Sequence, residues 1–298
     1  MSDLQARVSQ LWIYPVKSCG GVSVLSANLT ETGLEWDRAW MVVDAQGTFV
    51  SQRQAPRMAL IEPKMRHLDM VLRAPGMLAL HVALHEVEEP VEVTVWGDKV
   101  KAYDMGSLAG QWFTDFLGQT EEGCALGPLR LVRFDPEHQR PSATTWTQGV
   151  QALNQFSDGY PLLVLSEAAL SEFNQRLAAQ GQPPVEMARF RPNLVVSGVD
   201  AHTEDHAQSL TLVTEQRPVT LRPVKPCPRC SIPNIAPATA EVQPVISEVL
   251  ASYRQDARLE GAITFGMNAI VTAGLVPADG PEPEAVLKVG QAVDVQLF

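Results

Sequence analysis

The chain has 298 residues, 45% of them hydrophobic and 19% charged, with a formal net charge of −11. That length suits two domains, or one large β-rich domain with a sizeable core. The acidic balance excludes nucleic acid as the main partner, because neutralising phosphates needs a basic surface, and it disfavours anionic membranes for the same reason.

In chain order, the first hundred residues predict short strands at VSQLWIY, GVSVLSANL, RAWMVVD, GTFVSQ, MALIEP, LDMVLRA, MLALHVAL, VEVTVWG and VKAYD. Leu78, Leu80, Val82 and Leu84 alternate with Ala79, His81, Ala83 and His85, the period of a half-buried strand. His81 and His85 are therefore expected on the surface. DAQG at 44–47 and APG at 74–76 supply hairpin turns. Leu108, Trp112 and Phe116 fall on one helical face, with Gly118 placed to end it. This helix is taken as the boundary between a domain of residues 1–122 and one of residues 123–298.

The second half predicts a strand at LRLVRF, a polar loop to about residue 155, and a buried strand feeding a helix in PLLVLSEAALSEFNQRLAAQG. Ser166 is placed as its N-cap, Leu170, Phe173 and Leu177 as its apolar stripe, and Gly181 as its stop. Strands follow at NLVVSG, SLTLVTE and VTLRPV, then a helix opening at Pro244, then AITFGMNAIVTAG and AVLKVGQAVDVQLF. The expected fold class is mainly β (α+β): two β-barrel-like domains with a few packed helices. MSDLQARVSQLWIYP shows no secretory leader, and no run is long enough for a membrane span. Four cysteines make no disulfide framework here, so a cytoplasmic location is expected and the thiols are free for chemistry.

The chemistry concentrates in KPCPRCSIPN, residues 225–234. A zinc site needs a second ligand pair, and His202 and His206 have legal spacing, though they stand in a polar stretch that reads as two solvated histidines. A redox dithiol wants a helix start after the first cysteine, which Pro233 and Pro237 oppose. Cys227 and Cys230 could also be plain packed residues. For Cys230, the positive charge of Lys225 and Arg229 and the stiffness of the proline-rich loop favour a displayed thiolate, a ligand for a soft or high-valent metal or a nucleophile.

Taken in order, LWIYPVKSCGG, WDRAWMVVD, SQRQAPRMALI, RFRPNLVVSG, KPCPRC, LASYR and LKVGQAVDV resemble the MOSC family, a MOSC domain preceded by a MOSC N-terminal β-barrel. Within it, the layout is similar to the amidoxime-reducing components and the bacterial reductases of N-hydroxylated compounds. The resemblance covers nearly the whole chain. It implies a molybdenum cofactor (Mo-molybdopterin) with Cys230 as the protein's metal ligand and catalytic residue, and Cys227 as a neighbour. It also implies cofactor-binding roles for Lys17, Ser18, Arg38, Arg191 and Asn193, and for Gly159 and Tyr160 on a loop whose residue types differ from the family's. Gly20 and Gly21 are expected to allow a tight turn. Arg53 and Arg189 are nearby candidates without a family match, Cys19 reads as a packed small residue, and Cys124 has no role.

Two departures stand out: Ala236 replaces a usual aspartate and Ala240 a usual glycine. The resemblance implies an oxidoreductase that reduces small N-hydroxylated substrates by removing oxygen at molybdenum. Electrons must come from a separate donor, a reductase or small carrier, since the chain has no flavin motif and no plant-type cluster spacing. The alternatives are a sulfur carrier or a cofactor-delivery protein using Cys230.

Overall fold

The computed structural model describes residues 2–118, 126–215, 217–275 and 285–298. The chain opens with β1 (Leu4–Ile13), β2 (Val22–Val24), β3 (Ser26–Thr30), β4 (Gly33–Leu34) and β5 (Trp40–Val43). A 3-10 turn at Pro56–Leu60 leads into β6 (Glu62–Met65), β7 (Asp69–Arg73), β8 (Leu80–Ala83), β9 (Pro90–Val95) and β10 (Asp98–Asp104). Next come α1 (Ser107–Leu117), β11 (Arg130–Phe134) and the single turn α2 (Thr144–Thr147). The second half continues with β12 (Leu162–Ser166), α3 (Glu167–Ala179), β13 (Leu194–Ser197), β14 (Ala207–Leu212) and β15 (Val219–Pro228). It ends with α4 (Val245–Ala251), β16 (Gln255–Asp256), β17 (Ala262–Ala273), β18 (Ala285–Lys288) and β19 (Ala292–Leu297).

Seven strands close a barrel in the order β12-β13-β1-β19-β14-β15-β17, with β17 returning to β12. Every pair is antiparallel except β12 with β13. The period-2 rule accounts for its two cores. Leu162 and Val164 face the interior with Leu11, Leu194, Leu210, Leu221 and Val293. Leu163 and Leu165 face out, where Phe173 and Leu177 of α3 and Val249 and Leu250 of α4 cover them with Phe190 and Phe265. A strand covered on both faces has no polar side, which is why PLLVLS reads as one apolar run.

The other sheets are β5-β11-β10-β9, β6-β7-β8 and β18-β3-β4. Trp112, Phe113 and Phe116 of α1 pack with Trp40, Met58, Leu72 and Leu131 in the core of the first half. Pairing runs across the halves: β1 lies in the barrel between β13 and β19, β11 pairs with β5 and β10, and β18 pairs with β3. The expected boundary at 122/123 and Cys124 lie outside the described residues.

Several expected elements shift. GTFVSQ forms only isolated bridges through Thr48 and Phe49, and MALIEP begins in the 3-10 turn, where Pro56 opposes extended pairing. GVSVLSANL divides into β2 and β3, and AVLKVGQAVDVQLF breaks at Gly290, whose φ is 91°. Leu108 is 75% exposed and Leu78 88%, so the buried face of α1 is carried by Ala109, Trp112, Phe113 and Phe116 instead. The expected cap of α3 is present: Ser166 Oγ accepts from the Ala169 amide at 3.3 Å, and the chain leaves the helix through Gly181 at φ 71°.

Beneath that cap, the Glu204 carboxylate accepts from the Ser166 amide at 3.1 Å and is buried, which pushes its pKa up to about 7. The unfolded chain therefore releases this proton at lower pH than the folded one, and the resulting penalty grows as pH rises from about 4.5 to about 7. Glu204→Gln should gain melting temperature relative to the parent as pH is raised from 5 to 7.5, read by thermal scans; parallel curves contradict this. At the β12–β17 seam, Gly266 has φ 80°, and a Cβ there would lie 2.8 Å from the Val164 carbonyl oxygen. Gly266→Ala should cost roughly 2 kcal/mol, seen as a lower urea midpoint, whereas an unchanged midpoint would show that the seam has room.

Candidate active site

A cleft of about 810 Å³, counted to its open mouth, lies where one end of the barrel meets the first half of the chain. Lys17, Ser18, Arg38, Gly159, Tyr160, Arg191, Asn193 and Cys230 all line it. Residues from five separate stretches thus converge on one cavity. Arg53, Asp158, Cys227, Arg229 and Asn268 complete the polar wall, and Phe49 and Phe190 add apolar surface.

The deepest feature is a pair of guanidinium groups on one aromatic ring. Arg38 lies 4.4 Å and Arg191 4.2 Å from the centroid of the buried Tyr14 ring. Among the described residues one carboxylate bonds to this pair: Asp37 accepts from Arg38 at 2.6 Å and, through its other oxygen, from the Tyr14 amide at 2.8 Å. Arg38 also donates to Asn193 Oδ1 and to the Arg191 carbonyl, both at 3.2 Å. Arg191 donates to the Cys19 carbonyl at 2.6 Å. Burial, then the neighbouring Arg38 charge, hold the Arg191 pKa down to about 10. The node therefore carries more positive than negative charge, a built preference for an anion.

Asn193 is committed to the protein. Its oxygen accepts from Arg38 and from the Leu163 amide, and its nitrogen donates to the Trp12 carbonyl at 3.2 Å. It fastens β12 and β1 while aiming Arg38. Ser18 contrasts with it, since its hydroxyl lines the cleft with no hydrogen bond among the described residues. Ser18, Arg38 and Arg191 all have left-handed backbones, with φ of 67°, 51° and 59°. Non-glycine residues rarely adopt this region, and such strain gathers at functional sites. Gly20 and Gly21, by contrast, are needed for space and not for a turn. A Cβ on Gly20 would lie 2.7 Å from the Ile61 oxygen, and one on Gly21 would lie 2.5 Å from the Tyr14 ring.

On the second wall, Lys17 Nζ donates to the Phe156 carbonyl at 2.7 Å and to Asp158 at 2.5 Å. Burial lowers the Lys17 pKa, partly offset by Asp158. The same Asp158 oxygen accepts from the Trp96 indole at 2.9 Å. The cleft walls desolvate Asp158 and so raise its pKa, although its side chain is open to solvent, and the Lys17 charge and bonds outweigh this and hold the carboxyl well below the usual range. Tyr160 is buried, and its hydroxyl has no protein partner among the described residues.

The two cysteines differ in their bonding. β15 shows three register shifts against β17, at Thr220/Leu221, Pro223/Lys225 and Pro226/Pro228, and the last two fall at prolines, which cannot donate to the ladder. Cys227 Sγ accepts from Arg229 at 3.2 Å, and that side chain also donates to the Phe190 carbonyl at 2.9 Å. Cys230 Sγ lines the cleft with no hydrogen bond among the described residues. The expected cationic support is redirected: Arg229 serves Cys227, and Lys225 lies 5.6 Å from the Trp146 ring. Stiffness and access, more than charge, single out Cys230.

Other expectations resolve as follows. Arg189 is buried and bonded to Gln243 at 2.9 Å and 3.0 Å, outside this cleft's lining. Cys19 is buried, and burial pushes its thiol up to about 12. His81 is exposed and bonded to Asp69 at 2.6 Å. His202 is not solvated: it packs edge-on to Phe265, and burial pushes it down to about 4. His206 is exposed, and no metal-binding cluster of three or more His, Cys, Asp or Glu exists among the described residues, so the zinc reading lacks its second pair. Ala240 has a left-handed φ of 62°, the conformation that explains why glycine suits this position.

Asp37, Asp158, Tyr14, Phe49 and Trp96 were not singled out from the sequence. Asp37 and Asp158 each adjoin a chosen residue, which was the available signal.

Residues 5–120 match the MOSC N-terminal beta barrel domain and residues 152–294 the MOSC domain. The chain is 35% identical over 260 residues to mitochondrial amidoxime-reducing component 1 of Homo sapiens, covering 83% of this chain and 72% of that protein. It is 34% identical over 258 residues to mitochondrial amidoxime reducing component 2 of Bos taurus, with 83% and 72% coverage. Similarity to the molybdenum cofactor sulfurase of Bos taurus is 27% over 290 residues, covering 91% of this chain but 31% of that protein.

Removing the negative charge at Asp37 leaves two half-buried guanidiniums on the Tyr14 ring without a carboxylate partner among the described residues. Asp37→Asn should cost about 3 kcal/mol of folding stability in chemical denaturation, and Arg38→Met on that background should recover part of it. An Asn variant as stable as the parent would contradict the charge balance described.

Proposed function

The chain belongs to the MOSC-domain family and carries both the N-terminal barrel domain and the MOSC domain, and on that premise we propose that it is a molybdenum-cofactor-dependent reductase of small N-hydroxylated compounds. The observation that carries this reading is the uncommitted sulfur of Cys230, in a cleft whose other wall is cationic and rich in donors. The donor set fits an anionic pterin cofactor. Of the two guanidiniums only Arg38 has a carboxylate partner among the described residues, and the Ser18 and Tyr160 hydroxyls have no protein partner among them.

In this reading Cys230 holds the metal through its thiolate. Lys17, Ser18, Arg38 and Arg191 take the phosphate and the polar edge of the pterin, and Gly159 and Tyr160 form the loop against it. Asn193 acts one step back, by fixing Arg38. When bound, the cofactor supplies the two-electron chemistry that removes oxygen from an N–O bond. The protein's share is to bind the organic ligand, shield the centre and hold the substrate's N–O group at it. Electrons come from a separate donor protein, and a cytoplasmic setting remains part of the proposal. No helix among the described residues is long and apolar enough to cross a membrane. The assignment of residues 1–122 and 123–298 as two domains, with the cleft between them, belongs to the same proposal.

Similarity to a cofactor sulfurase supports a second reading, in which Cys230 carries sulfane sulfur. The chain spans only 31% of that protein, which weakens it.

Cys230→Ala should retain less bound molybdenum, though not none, and lower dye-driven reduction of an amidoxime by more than about 100-fold. Cys227→Ala should keep most of both. Metal analysis and steady-state kinetics on the two variants check this; equal losses would return the pair to a joint role, and labile sulfur on Cys230 without turnover would favour the carrier.

A further inference from the structure

At the mouth of the cleft, Arg53 is exposed and makes no ion pair among the described residues. Its guanidinium lies over the Trp96 ring, 4.9 Å from the centroid. Trp96 is 51% exposed, the only tryptophan among the large apolar side chains exposed in the described residues. It occupies an unfavourable position. Trp96 and Gly97 form the two-residue turn between β9 and β10, with φ of 52° and 93°, where asparagine or glycine normally comes first.

A bulky residue held at positive φ and left half in water is not explained by core packing. Its contacts all lead to the cleft. The indole N–H donates to Asp158 at 2.9 Å, and the Phe49 ring lies 4.9 Å away. Phe49, Arg53 and Asp158 each line the cavity that holds Cys230. Trp96 therefore backs the outer wall, and Arg53 spreads a flat cation on it. A guanidinium plane stacks well on π systems, and an indole behind it restricts its motion.

We propose that Arg53, backed by Trp96, is the shelf that selects planar, conjugated N-hydroxylated compounds over small aliphatic hydroxylamines. An amidoxime borne on an aromatic ring presents a face to this shelf; hydroxylamine presents none. The inference rests on the reductase reading and names the substrate class for it.

The test uses cofactor-loaded protein with benzamidoxime and hydroxylamine as paired probes. Binding of benzamidoxime to the oxidised protein is measured by calorimetry without any electron source, and kinetics are run separately with a reduced dye. For Trp96→Ala and Arg53→Ala, the benzamidoxime Kd should rise about tenfold. The ratio of kcat/KM for benzamidoxime over hydroxylamine should fall by a similar factor, through KM and not kcat. Trp96→Phe, which keeps an aromatic backing, should recover most of the binding. A Kd change under about twofold in both Ala variants, or an equal fall for both substrates, overturns the shelf. Wild-type protein that binds benzamidoxime through these residues but reduces neither probe overturns the reductase reading and leaves the shelf standing.

Discussion

Two guanidinium groups held against one tyrosine ring, only one of them paired with a carboxylate, set the character of this cleft. Like charges this close repel, and burial strengthens the repulsion. The fold tolerates them because Asp37, the Asn193 amide oxygen and the carbonyls of Cys19 and Arg191 accept their hydrogen bonds. These acceptors come from both halves of the chain. The contacts that balance the charge therefore also fasten the first half to the barrel, and the surplus positive charge is left for an anionic ligand. In a protein of net charge −11, such a concentration is local by construction.

The backbone around the cleft is strained in proportion to its use. Ser18, Arg38 and Arg191 adopt left-handed φ, and Trp96 does so at the rim. Each of these costs on the order of 1 kcal/mol or more, and each persists because surrounding hydrogen bonds and ring contacts over-determine it. The proline-rich end of β15 works differently. Its register shifts loosen the ladder around Cys227, the strand ends at Pro228, and Cys230 follows with its sulfur uncommitted. Cys227, one step earlier, is occupied by Arg229.

Much of this was legible in the sequence because it depends on local rules. Alternation marked the strands, the Ser166 cap and Gly181 bounded α3, and a series of motifs named the residues that line the cleft. What the sequence hid depends on long-range pairing. Nothing in VSQLWIY says that β1 joins a barrel built mostly from the second half, and nothing in WDRAW says that Asp37 pairs with its neighbour Arg38 while Arg38 reaches Arg191 and Asn193 from the other half of the chain. Direction was also hidden. Arg229 and Lys225 look like neighbours of Cys230 by spacing, yet their side chains go to Cys227 and Trp146. Asn193 was legible as important, but its amide turned out to be spent on the protein.

The central claim is that one particular thiol, and not its neighbour three residues earlier, anchors a molybdenum centre among those cations. X-ray absorption at the molybdenum edge, on protein produced in a host that makes the cofactor, tests it most directly. The account predicts one fewer sulfur scatterer around the metal when Cys230 is replaced by serine, and no change when Cys227 is. An identical sulfur shell in the Cys230 variant, or the absence of molybdenum from the wild-type protein, would contradict it.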